Sequence, residues 1–140
     1  MPNAEILLRW FDEVWGAARA EHLIDELMAE TAQVFGVRGQ APIGRAEFKE
    51  VWRTFLQAFP DMRVHVVDTL SVDHRVAFRA RVQGSYQGKP FAFEGNGIVE
   101  VRNEILVRSH ETWDFLGLLV QLGKIDDDAV ETLLRECAGE

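Results

Sequence analysis

Cysteine is nearly absent from this chain. Cys137 is the only one, so no internal disulfide can form, and without clustered Cys/His spacing nothing suggests a zinc site. Positive charge is also short: 15 Lys and Arg face 23 Asp and Glu, for a formal net charge of −8 and a pI near 5.0. Nucleic-acid binding rests on Lys and Arg neutralising phosphates, so no nucleic-acid partner is expected. No run approaches the roughly 18 to 20 apolar residues that cross a bilayer. The first fifteen residues alternate polar with apolar, unlike a signal peptide. No membrane partner is therefore expected, and the expected location is cytoplasmic. A Gly-rich phosphate loop, a GxSxG elbow and an HExxH pair are all missing, which sets aside nucleotide-dependent, serine-hydrolase and zinc-protease chemistry. The sequence also lacks internal repeats, low-complexity tracts and linkers, so a chain of 140 residues reads as one domain.

What is present is a change of period. Over residues 4–18 the apolar side chains Ile6, Leu7, Trp10, Phe11, Val14 and Trp15 recur at three- and four-residue steps, the stripe of an amphipathic helix, with Asn3 as its expected N-cap. A shorter helix fits 20–29 and a strand 32–37. Helical spacing returns over 45–59 through Phe48, Val51, Trp52, Phe55 and Phe59 until Pro60 stops it. Beyond Pro60 the spacing becomes that of strands, over 62–70, 76–86, 90–101 and 105–113, with polar links too short to join anything but antiparallel neighbours. The strand near residue 35 would complete the sheet. A last helix over 126–136 has an acidic first turn. The layout is α+β, with helices packed on one face of a mostly antiparallel sheet.

The segments RWFDEVW (9–15), GRAEFKEVWRTFLQAFPDMRV (44–64) and WDFLGLLVQLG (113–123), in that order, resemble the SnoaL-like polyketide cyclase branch of the NTF2-like superfamily over residues 4–123, with 123–140 as a C-terminal helical extension. The resemblance implies a cone-shaped α+β barrel around a mostly apolar pocket, commonly in a homodimer, here through the outer face of the sheet. It also implies cofactor-independent chemistry on a small hydrophobic carbonyl compound, either aldol-type cyclisation or ketosteroid-isomerase-like proton transfer. The alternative is a non-catalytic ligand-binding or dimerisation module of the same fold. Neither reading requires a metal or a cofactor.

Both chemistries need a base for a proton alpha to a carbonyl and a group to stabilise the enolate oxygen. A carboxyl desolvated in an apolar cavity meets the first need, and a hydroxyl or imidazole the second. By resemblance Asp114 is the expected base, with His110 four residues earlier on the same strand face and Tyr86, the only tyrosine, as the oxyanion donor. Asp114 is also placed to cap the helix that follows it. The relatives' G-x-H pattern is Gly84-Ser85-Tyr86 here, which weakens any histidine-based mechanism. Two registers of the last strand stay open. If Trp113 faces the cavity, Ser109 and Glu111 go in with it and Asp114 points away; the opposite register brings in Asp114 and His110. The expected pocket lining is Trp10, Trp15, Phe35, Trp52, Phe55, Phe59, Asn96 and Trp113.

Overall fold

A computed structural model of the chain describes residues 2–16 and 18–140. The first helix, α1 (Asn3–Arg9), runs on as one π-helical turn, Trp10–Val14, and α2 (Glu21–Leu27) leads directly into β1 (Met28–Phe35). Then come α3 (Arg45–Ala58), the strands β2 (Arg63–Val72), β3 (Arg75–Tyr86), β4 (Lys89–Arg102) and β5 (Ile105–Trp113), and the helices α4 (Phe115–Gln121) and α5 (Ala129–Cys137). The expected first helix included Ala17, which lies outside the described residues. Asn3 does not cap α1. Pro2 holds that position, and the Asn3 amide donates instead to the Asp73 carbonyl at 3.0 Å.

Five strands form one sheet in the order β1-β5-β4-β3-β2. The last four pair as the antiparallel meander that their short links require, whereas β1 runs parallel to β5. The sheet stays open, with β1 and β2 as its edges; no hydrogen-bonded ring closes a barrel. Strand β1 starts four residues before its expected start, because Met28 already pairs with Leu106, a contact 78 positions away that no local pattern carries.

Helices α1 and α3 cover one face of the sheet. Ile6, Leu7, Trp10, Phe11 and Val14 are buried there against Val76, Phe78, Ala80, Val99 and Val101. A second apolar cluster, Met62, Val82, Phe91, Phe93 and Leu118, fills the end of the sheet next to α4. Trp52 is 5% exposed, and its indole N–H donates to the Val14 carbonyl at 2.8 Å, tying α3 to the π-turn. Trp52→Phe keeps most of the apolar contact and leaves that buried carbonyl without its donor. The expected cost is about 1–3 kcal/mol, read as a lower urea midpoint at unchanged slope.

Candidate active site

The register of β5 turns on one residue. Val101 pairs with Leu106 and the neighbouring Glu100 with Arg108, so Val107 is an extra residue, a β-bulge. The bulge lets both Leu106 and Ser109 face inward, at 6% and 7% exposure. Alternation beyond it turns Ser109, Glu111 and Trp113 toward the helices and Arg108, His110 and Thr112 toward the opposite face. Trp113 is held in this orientation by its partner on β4. A Cβ at Gly95 would stand 2.1 Å from the indole ring, so the ring lies flat over the glycine, with Phe11, Phe78 and Phe93 around it at centroid distances of 6.1–6.5 Å.

With one strand step on either side, Glu111 sits between two donors. The Ser109 hydroxyl donates to its Oε2 at 2.5 Å and the Trp113 Nε1–H to its Oε1 at 3.0 Å. No cation pairs with Glu111 among the described residues. Burial pushes its carboxyl above the ordinary glutamate range, and the two donated hydrogen bonds, which favour the ionised form, offset only part of that rise. A carboxylate of this kind is a stronger base than a solvated glutamate.

Glu111 is half-buried, and of the two small spaces near it only the first is lined by its side chain. Glu111 and Ser109 line a chamber of about 20 Å³ with Trp10, Phe11 and Phe78, room for a single water. A second cavity of about 60 Å³, sharing Phe11 and Phe48 with the first, is walled by Trp15, Phe55, Phe93, Trp113 and Phe115 and has no titratable side chain in its lining. Trp113 therefore bridges the two, with its ring on the apolar cavity and its N–H on the carboxylate. Both volumes are below the 300–1,000 Å³ typical of ligand pockets, so a ring-sized ligand enters only as the walling aromatic side chains turn aside.

The other expected site residues are distributed differently. Asp114 is exposed, its own N–H bonded to the Glu94 carbonyl, and its carboxylate accepts from the Gly117 N–H at 2.8 Å as the N-cap of α4. Alternation turns it away once Trp113 faces in. Asp114→Ala is expected to cost about 1 kcal/mol through the lost cap and to leave the Glu111 site intact, which thermal melts and Trp113 fluorescence together would check. His110 does not face the cavity either. It stacks on Phe35 across the outer face of the sheet, ring centroids 4.4 Å apart and planes 5° from parallel, where Asn96 joins them in a surface groove. All three fall on the outer parity of their strands. Tyr86 ends β3, packs on Phe59 at 6.2 Å and accepts at its hydroxyl from Gln87, in surroundings separate from Glu111. Trp52 is spent on Val14, and Phe59 packs on Phe55 and Phe91 in the second cluster. Phe11, Phe48, Phe93 and Phe115 line the cavities without having been expected there. Gly95, opposite Trp113 on the neighbouring strand, was the available sequence signal for the inward tryptophan.

A helix-covered, mostly antiparallel five-stranded sheet fits the NTF2-like α+β fold. The sequence profile of the SnoaL-like polyketide cyclases matches residues 5–122, and the chain belongs to that family. No curated protein matches it. Among solved structures, it is similar to IdmH of Streptomyces antibioticus, provisionally assigned as a polyketide cyclase, at 22% identity and a TM-score of 0.78 over 88% of this chain and 99% of that one. A provisionally assigned polyketide cyclase of Bacillus cereus superposes at a TM-score of 0.79 with 23% identity, over 88% and 81%. A Catenulispora acidiphila protein with a ketosteroid-isomerase-like fold, solved with trimethylamine, does so at 0.74 with 19% identity, over 88% and 95%. No helix is long and apolar enough to cross a membrane, and no His, Cys, Asp and Glu cluster suited to a metal occurs among the described residues.

Proposed function

We propose that the protein binds a small hydrophobic carbonyl compound against Trp113 and that Glu111 transfers a proton on it, without a cofactor, in an aldol-type cyclisation or an isomerisation. The observation that carries this is the carboxyl of Glu111, set inside an aromatic wall, raised in basicity by burial and aimed by Ser109 and Trp113. As a base it takes the proton alpha to the carbonyl. Once protonated it returns the proton to the enolate oxygen or to the next carbon. Two described features support one carboxyl in both roles: no imidazole or phenol lines either cavity, and a buried neutral acid is a competent hydrogen-bond donor.

A second reading, binding without chemistry, is favoured by the larger cavity, whose lining contains no titratable group. The two separate in one experiment with a bicyclic aromatic ketone such as 1-tetralone in D₂O. Quenching of tryptophan fluorescence reports binding, and NMR loss of the alpha protons reports proton transfer. Binding with protein-dependent exchange supports the enzyme. Binding without exchange leaves the binding module, and absence of both across a panel of flat ketones removes the proposal.

The protein is further proposed to act as a homodimer through the outer face of its sheet, where Leu70, Val72 and Ile98 are 75%, 66% and 47% exposed. Sedimentation as a monomer at micromolar concentration would remove that reading.

A further inference from the structure

The outer face of the sheet carries a continuous apolar row, set by the strand registers. Leu70 pairs with Ala77, Ala77 with Ile98, Ile98 with His110 and His110 with Phe35. The row crosses all five strands, about 19 Å at ordinary strand spacing. Grooves run along both sides of it, meeting at Ile98 and His110. One flank carries Arg75 and Arg108 on β3 and β5 with Glu100 between them on β4; Glu100 is ion-paired with Arg102, and among the described residues neither Arg75 nor Arg108 is in an ion pair with a carboxylate. Arg79, on the other flank, is already held by Asp68 and Glu94.

The complement of this surface lies at the other end of the chain. Helix α5 buries no residue. Val130, Leu133 and Leu134 are 48%, 55% and 62% exposed, and with Cys137 they form one stripe at helical spacing. Acids surround the stripe: Asp126, Asp127 and Asp128 precede the helix, and Glu131 and Glu136 lie within it. Residues 124–140 hold six acidic and two basic side chains, half of the chain's net charge of −8. Nine helical residues span about 13.5 Å, which fits within the row. Within one chain α5 leaves the row uncovered although both are present.

We propose that α5 of a second copy of this chain docks its Val130–Leu133–Leu134 stripe on the Leu70–Ala77–Ile98–His110–Phe35 row, with its acids against Arg75 and Arg108. The contact is helix-in-groove, and a two-fold axis makes it twice per dimer. The inference rests on the outer-face dimer proposed above and names what that face receives: the partner's terminal helix, which lies outside the segment matched by the family profile.

The test uses the full chain. Leu133→Asp and Leu70→Asp change exposed side chains on opposite sides of the contact. Each is expected to weaken dimerisation in sedimentation by at least about 30-fold, with circular dichroism and melting of the protomer unchanged, since loss of a central apolar anchor costs about that much affinity or more. Independently, Cys137→Ser with Gly139→Cys carries a nitroxide just past α5. Mixed equally with unlabelled-spin, ¹⁵N-labelled wild type, it should broaden the amides of Ala77, Ile98 and His110 in the other copy. A dimer indifferent to Leu133→Asp, or one without that intermolecular broadening, overturns the α5 inference and leaves an outer-face dimer of another geometry. A wild-type monomer overturns both. A ¹⁵N-labelled sample of the nitroxide-bearing variant diluted in unlabelled wild type reads the intramolecular case: broadening there, without broadening in the mixed wild type, assigns α5 to its own sheet and also overturns the inference.

Discussion

Glu111→Gln is expected to lower alpha-proton exchange of a bound ketone by about 10²- to 10⁴-fold, the usual contribution of a positioned general base, with its dissociation constant near the wild-type value. The variant keeps the site's shape. The Trp113 N–H can only donate, so the amide oxygen turns to it and the amide NH₂ faces the Ser109 hydroxyl, which accepts as readily as it donates. Loss of exchange without loss of binding therefore isolates the proton transfer. Undiminished exchange in the variant would remove Glu111 from the chemistry. The same substitution has a second readout that does not depend on any substrate. Burial raises the folded-state carboxyl above its unfolded value, so the stability it contributes is full below the ordinary glutamate range and is lost as pH rises through the raised folded value. Urea midpoints of wild type should fall relative to those of Glu111→Gln across that window, and the two should converge in acid. Parallel pH profiles would mean that the carboxyl is solvated in solution.

Gly36→Ala is expected to be the most damaging single-methyl change in the chain, at about 3 kcal/mol, or a melting temperature lower by about 10 °C. Gly36 follows β1 with φ +89, where a Cβ would stand 1.8 Å from the carbonyl oxygen of Glu111. The left-handed backbone costs alanine about 1–2 kcal/mol, and pushing apart packed backbone adds about 1–3 kcal/mol. Because the atom displaced belongs to Glu111, the loss of stability should come with a changed pH profile at that carboxyl. Gly39→Ala is the matched control. Its φ is +75 with nothing within 4 Å of the added carbon, so it should show the conformational cost alone. Equal effects of the two substitutions would mean that the close approach of β1 to β5 yields at little cost.

Much of the architecture follows from local chemistry legible in the chain. The helical stripe of Ile6, Leu7, Trp10, Phe11 and Val14 has one apolar side to bury, Pro60 ends α3 for want of an N–H, and the period-two runs after it, joined by short links, can pair only as antiparallel neighbours. Those features determine an α+β protein with helices on one face of a meander. The strand expected over 32–37 was also legible, but not its start at Met28, which depends on pairing with Leu106, far away in sequence.

The site was open for a similar reason. Residues 109–114 are polar except for Trp113, so either parity is self-consistent, and Leu106 and Val107 argue for opposite faces. Only the tertiary structure chose, by a bulge at Val107 and by seating the Trp113 ring on Gly95 of the neighbouring strand. That choice puts Glu111 inside and leaves Asp114 to cap α4. The physical reason is that the burial of a large ring against a distant glycine outweighs any local preference of a short polar strand. By itself the sequence determined which residues were available for chemistry, and long-range packing decided which of them faces the cavity.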